Sequence, residues 1–193
     1  MADHVTTLFR ASLFQPCQLR LMRSSLTTES AKTLVHAFVS SCLDYCNSLL
    51  YGVSGELLQK LQVIQNAAAR VVMGARKFSH ITPLLHELHW LPVCQRIRFK
   101  LAKTVYKCLS GLAPAYLAED CVLVSSVASR CHLRSAEARK LVVRRTRTVL
   151  GARDFAVSSA VVWNSLPAEL RVSSLTVATF ARHLKTHLFS CLN

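Results

Sequence analysis

The sequence predicts a mainly α-helical fold, a small helical bundle followed by a helix-rich C-terminal segment with a short β-hairpin near 141–156. Three observations predict it. Apolar residues recur every three or four positions through most of the chain, which is the period of one helix face. Ser, Thr and Pro stand where such helices would start, and Gly stands where they would stop. Alternation of period two is confined to one stretch, Leu141–Val149.

With 193 residues, 51% hydrophobic and 18% charged, the chain has the means to bury the core of one domain or of two small ones. A net charge of +14 favours a polyanionic partner, RNA or DNA, ahead of an acidic membrane surface. That charge is uneven. Residues 1–75 carry six Lys and Arg against four Asp and Glu, whereas residues 130–153 carry eight against Glu137 alone. Eight cysteines scattered among apolar positions, with no signal-like N-terminus, predict reduced thiols and an intracellular protein, nuclear or cytoplasmic and not secreted. Charged or polar residues interrupt every apolar run, so no membrane span is expected.

In chain order, residues 3–23 suggest an amphipathic helix broken near Pro16. Thr27 caps a helix expected to run to about Leu50, with Leu34, Val35, Phe38, Val39, Cys42, Leu43, Cys46, Leu49 and Leu50 on a wide apolar face. Ser54 caps the next, in which Leu57, Leu61, Ile64, Ala68 and Val71 repeat before Gly74 closes it. Thr82 before Pro83 opens a short helix through Leu84, Leu85 and Leu88. After the corner Trp90-Leu91, Pro92 is placed as the first residue of a helix ending at Gly111. That helix has an apolar face of Val93, Ile97, Leu101, Val105 and Cys108 and a cationic face of Arg96, Lys100, Lys103 and Lys107. Pro114 begins one further turn, and residues 121–140 show no period. Leu141–Val149 reads as a strand, helix resumes near 157–166 until Pro167, and a last helix from about Thr176 buries Val177, Phe180, Leu184 and Leu188.

Six phrases occur in order along the chain: LVHAFVSSCLDYCNSLLYG at 34–52, LQVIQNAAARVV at 61–72, HITPLLHELHWLPVCQRIRFK at 80–100, GLAPAYL at 111–117, VVWNSLPAELR at 161–171 and FARHLKTHLF at 180–189. Together they resemble the C-terminal part of the reverse transcriptase polyprotein of LINE-type, jockey-like non-LTR retrotransposons. The departures are Cys42, where the family usually has arginine before LDYCN, and VVRRTRT at 142–148, where a proline-containing segment is common. The resemblance implies that residues 1–75 correspond to the thumb-like helical region after the polymerase palm, and residues 76–193 to the element's C-terminal segment. A reverse transcriptase holds two metal ions on paired palm aspartates. The aspartates here, Asp3, Asp44, Asp120 and Asp154, are never adjacent, so a non-catalytic protein without cofactor is expected.

Other chemistry gains less from the sequence. Cys42 with Cys46 and His86 with His89 offer four zinc ligands on paper, but without the compact pairings of zinc modules, and no metal site is expected. Cys94 beside these histidines lacks a built oxyanion site, and Trp90 and Trp163 sit among apolar neighbours as core anchors. The surplus of cations leaves Arg96, Lys100, Lys103, Lys107, Arg144, Arg145 and Arg147 as candidate contacts to phosphates, tolerant of sequence. The contrasting expectation is a functionless or host-adopted helical interaction module without nucleic-acid binding. In either case a thumb without its palm would expose an apolar face near residues 5–40, inviting self-association.

Overall fold

The computed structural model describes Pro16, residues 18–127 and residues 138–191. The protein is mainly helical, with eight α-helices among the described residues: α1 (Thr28–Val35), α2 (Ser41–Asp44), α3 (Gly55–Met73), α4 (Ile81–Glu87), α5 (Val93–Leu109), α6 (Ala115–Ala118), α7 (Phe155–Asn164) and α8 (Val177–Ser190). Packing divides the chain into two compact units. One comprises the residues up to Asn47 with Val53–Arg96, and the other comprises Ser48–Gly52 with Ile97–Asn193. The 75/76 boundary expected from the resemblance lies within the first of these units.

In the first unit, Thr27 caps α1 as expected, its side chain accepting from the Ser30 amide at 3.2 Å. The single helix expected to reach Leu50 is not formed. Between α1 and α2 lies a π turn, His36–Ser40, and the chain leaves helix at Tyr45 and Cys46, the latter at φ 51°. The buried residues Ala31, Val35, Val39 and Leu43 explain the π turn. They recur every four residues, more than the about 3.6 of an α-helix, so a straight α-helix would rotate them off the packing face. A wider turn takes up the excess. Phe38, Cys46 and Leu49, placed on the apolar face by the sequence, are exposed.

The α3 helix follows its apolar repeat, burying Leu61, Ile64, Ala68 and Val71, and it packs on α1, the π turn and α4. Gly74 at φ 63° ends it, with Gly74 N–H donating to Val71 O and Ala75 N–H to Arg70 O. Between its apolar positions α3 carries a chain of side-chain amides. Gln62 Nε2 donates to Gln65 Oε1 at 3.0 Å and to Asn66 Oδ1 at 2.8 Å. Gln65 Nε2 donates to the Leu91 carbonyl at 2.8 Å, and Gln62 Oε1 accepts from the Val93 amide at 2.9 Å. The corner Leu91–Val93 is thus held from outside, and Val93 N–H, which has no acceptor within its own helix, is satisfied.

Two start signals shift by a residue or two. α4 begins at Ile81 rather than after Thr82, leaving Pro83 in the first turn, where a missing N–H is harmless. α5 begins at Val93, with Pro92 O accepting the first helical bond from Arg96 N at 2.9 Å. α4 ends with His89 at φ 54°; its N–H donates to His86 O, and Trp90 N–H donates to Leu85 O. The motif is that of a glycine cap, held by histidine at some backbone cost.

The second unit centres on three aromatic rings from α5, α7 and α8. Tyr106 stacks on Phe180 with centroids 4.2 Å apart, and Trp163 lies 6.0 Å from Phe180. The Tyr106 hydroxyl donates to Leu175 O. α8 starts after Thr176, whose side chain accepts from the Thr179 amide, and it buries Phe180, Leu184 and Leu188 as the sequence predicts, whereas Val177, expected with them, is half-buried.

The hairpin expected near 141–156 is absent, and the strand shrinks to one antiparallel bridge, Leu123 with Leu141. Val124 N–H donates to Lys140 O and Val142 N–H to Val122 O. On its other side Leu141 pairs with a side chain: its N–H donates to Asn164 Oδ1 and its carbonyl accepts from Asn164 Nδ2, both at 2.8 Å. Trp163 Nε1 donates to Arg139 O beside it. Beyond Val142, every residue from Val143 to Leu150 is exposed. The alternating face there mixes Val143 with Arg145 and Arg147, so it offers no apolar surface to bury and sets like charges together.

Most of the helix suggested over residues 3–23, and part of the aperiodic stretch 121–140, lie outside the described residues; residues 18–21 are helical. Among the described residues, no helix is long and apolar enough to cross a membrane. Asn164→Ala removes both amide bonds to Leu141 and is expected to cost about 2 kcal/mol of unfolding free energy in urea denaturation. A loss below about 0.5 kcal/mol, the usual surface value, would contradict this role.

Candidate nucleic-acid interface

The seven cations singled out by the sequence separate into those with acidic partners and those without. Arg96 and Lys100, four residues apart on α5, differ sharply. The Arg96 side chain is 17% exposed and its NH2 lies 3.4 Å from Asp44 Oδ2. Burial pulls its pKa below the ordinary guanidinium value, while the Asp44 carboxylate pushes it back up. Arg96 is therefore a packing and pairing residue at the base of the helix.

Lys100 and Lys107 are exposed and Lys103 is half-buried, with Nζ 6.0 Å from the Phe99 ring centroid. None of the three has an ion-pair partner among the described residues. They stand at i, i+3 and i+7, which keeps them on one side of α5. The helix then ends in a tight cap, Gly111 at φ 68° with Gly111 N–H donating to Cys108 O and Leu112 N–H to Lys107 O.

In the extended segment after Leu141, Arg144 NH1 lies 3.2 Å from Asp120 Oδ1. Arg145 and Arg147 are exposed, with no acid within ion-pair distance among the described residues. No hydrogen bond or ion pair among the described residues joins these arginines to the α5 lysines. Arg153, from the same basic stretch, serves the fold: it donates to the carbonyls of Tyr51 and Leu49, both at 3.2 Å. Arg130 and Arg134 lie outside the described residues.

The other constellations are placed as follows. Trp90 is buried and meets His36 edge-on at 5.5 Å, and Trp163 is buried in the aromatic cluster, so both serve the core. Among the described residues, no group of three or more His, Cys, Asp or Glu gathers as a metal site. Cys94 and Cys46 are exposed free thiols. No protein-family model, curated protein or solved structure matches the chain.

The sequence placed Cys108 on the apolar face of α5 but did not single out Cys121; the two are buried neighbours in the second unit. Burial, reinforced by the adjacent Cys108, pushes the Cys121 thiol from 9.0 up to about 12. The folded protein therefore holds Cys121 neutral where the unfolded chain ionises. This contribution to stability is complete below pH 9 and disappears as pH rises towards about 12. Unfolding free energy should fall across that interval with a slope that Cys121→Ala reduces; an unchanged slope in the variant would contradict the shift.

Proposed function

We propose that the chain is a post-palm portion of a LINE-type reverse transcriptase, without catalysis of its own, that binds RNA or DNA through backbone phosphates. The observation that carries this is the set of exposed cations without acidic partners: Lys100 and Lys107 on α5, with Lys103 between them, and Arg145 and Arg147 beyond Leu141. The six phrases quoted above, in their order, support the ancestry. Lysines on a helix face and arginines on an extended segment suit phosphate oxygens and carry no base-reading pattern, so binding tolerates sequence. Arg96 and Arg144 contribute by holding Asp44 and Asp120, which leaves the neighbouring cations unneutralised. Free thiols at the six described cysteines fit an intracellular setting, nuclear or cytoplasmic.

A second reading, a helical module that contacts protein or a second copy of itself, is favoured by exposed apolar residues Leu21 and Met22 with Phe38 in the first unit. The remainder of the face near residues 5–40 includes residues outside those described.

Affinity for a short RNA or DNA duplex should fall with salt at a log–log slope of about −0.9 for each phosphate neutralised. Lys100→Glu with Lys107→Glu should weaken binding and flatten that slope by about two. Absence of binding at low salt overturns the phosphate-contact reading and leaves the protein-contact module.

A further inference from the structure

We propose that the first unit carries a separate oxyanion pocket, selective for a phosphate dianion, at the C-terminal end of α3. Arg20, Arg23, Arg70 and Arg76 line one cavity of about 230 Å³ whose remaining wall includes Gly74 and Ala75, with no Asp or Glu in the lining. These arginines come from two places about fifty positions apart in sequence, so no charge run marks them.

Arginine at a helix C-terminus ordinarily complements the partial negative charge there, and the proposal must exceed that. The partial charge is about half an elementary unit, which one guanidinium covers. Arg23 supplies it: Nε donates to Val71 O at 2.8 Å and NH2 to Val72 O at 3.1 Å. Its NH1 also donates to Leu26 O. Val71 O and Val72 O, which would repel an anion, are thereby occupied, and Arg70 O accepts from the Ala75 amide.

Three guanidinium groups remain beyond that requirement. Arg70 NH2 donates to Ser79 O at 3.1 Å, but its buried Nε has no hydrogen-bond partner. The side chains of Arg20 and Arg76 are exposed and make neither a hydrogen bond nor an ion pair among the described residues. Planar guanidinium forks match phosphate oxygens two at a time, and several around one cavity suit a doubly charged group. Glycine and alanine in the wall leave room for the group to approach, and the volume admits more than a bare phosphate. The ligand class is therefore a phosphate monoester or free inorganic phosphate.

The proposal does not rest on nucleic-acid binding, and its test begins without nucleic acid. Thermal unfolding of the whole chain is followed with inorganic phosphate and with sodium chloride at matched ionic strength. Phosphate should raise the melting temperature saturably beyond the effect of chloride. The variant Arg20→Gln/Arg76→Gln, altered only at exposed side chains, should require about tenfold more phosphate for the same shift, as expected for the loss of charge-assisted bonds. Equal shifts in phosphate and chloride, or the same phosphate dependence in the variant, would overturn the pocket. A second arm compares an oligonucleotide ending in a 5′-phosphate with its 5′-hydroxyl counterpart. Tighter binding of the former, lost in the variant, assigns the pocket to a strand terminus. Equal binding alongside phosphate-specific stabilisation assigns it to free phosphate.

Discussion

Where α5 begins decides which of its cations are structural and which are free, and that start is fixed by a chain of side-chain amides. Gln62 takes the free Val93 amide, Gln65 takes the Leu91 carbonyl, and Gln62 joins the two by donating to Gln65. Each bond contributes modestly, about 1 kcal/mol, but loss of one partner leaves another polar group stranded in a nearly closed site, Gln65 being 1% exposed. The register it sets buries Ile97, Leu101 and Val105, turns Arg96 towards Asp44, and leaves Lys100 and Lys107 in solvent. One step of 100° along the helix would exchange those roles.

A second polar side chain acts the same way elsewhere. Asn164 presents an amide to Leu141 as a neighbouring strand would, with both its donor and its acceptor in use. Together with Trp163 it fastens residues 139–142 to α7, so that the chain emerges from a fixed point before the exposed arginines. In both places a short polar residue inside an apolar phrase, QVIQN or VVWNS, does what extended secondary structure does in larger sheets. This gives both phrases a physical content: they include residues that hold turns and irregular backbone in place.

The long helices were legible in the sequence because burial on α3, α5 and α8 follows a simple period and Gly74, Gly111 and Thr176 mark one end of each. What escaped was non-local. Gln62 and Gln65 drew no reading from the sequence because their partners lie some thirty residues away, though two glutamines three apart inside an apolar run were a usable signal. The π turn was signalled by the four-residue spacing of Ala31, Val35, Val39 and Leu43, a spacing that also fits an ordinary apolar stripe. Leu141–Val149 has the composition of a strand, but pairing needs a partner, and only Leu141 finds one. Among the candidate phosphate contacts, charge pattern alone could not separate Arg96 and Arg144, which meet acids distant in sequence, from Lys100, Lys107, Arg145 and Arg147.

That separation between fold-bearing and free cations is most directly tested on one pair of variants, Arg96→Gln and Lys100→Gln, each measured for unfolding free energy and for duplex affinity in low salt. Arg96→Gln should lower stability by about 1 kcal/mol, through lost pairing and lost packing of its stem, with duplex affinity unchanged. Lys100→Gln should leave stability within about 0.5 kcal/mol and weaken binding. Weakened binding with unchanged stability in Arg96→Gln would contradict the assignment of this arginine to the fold.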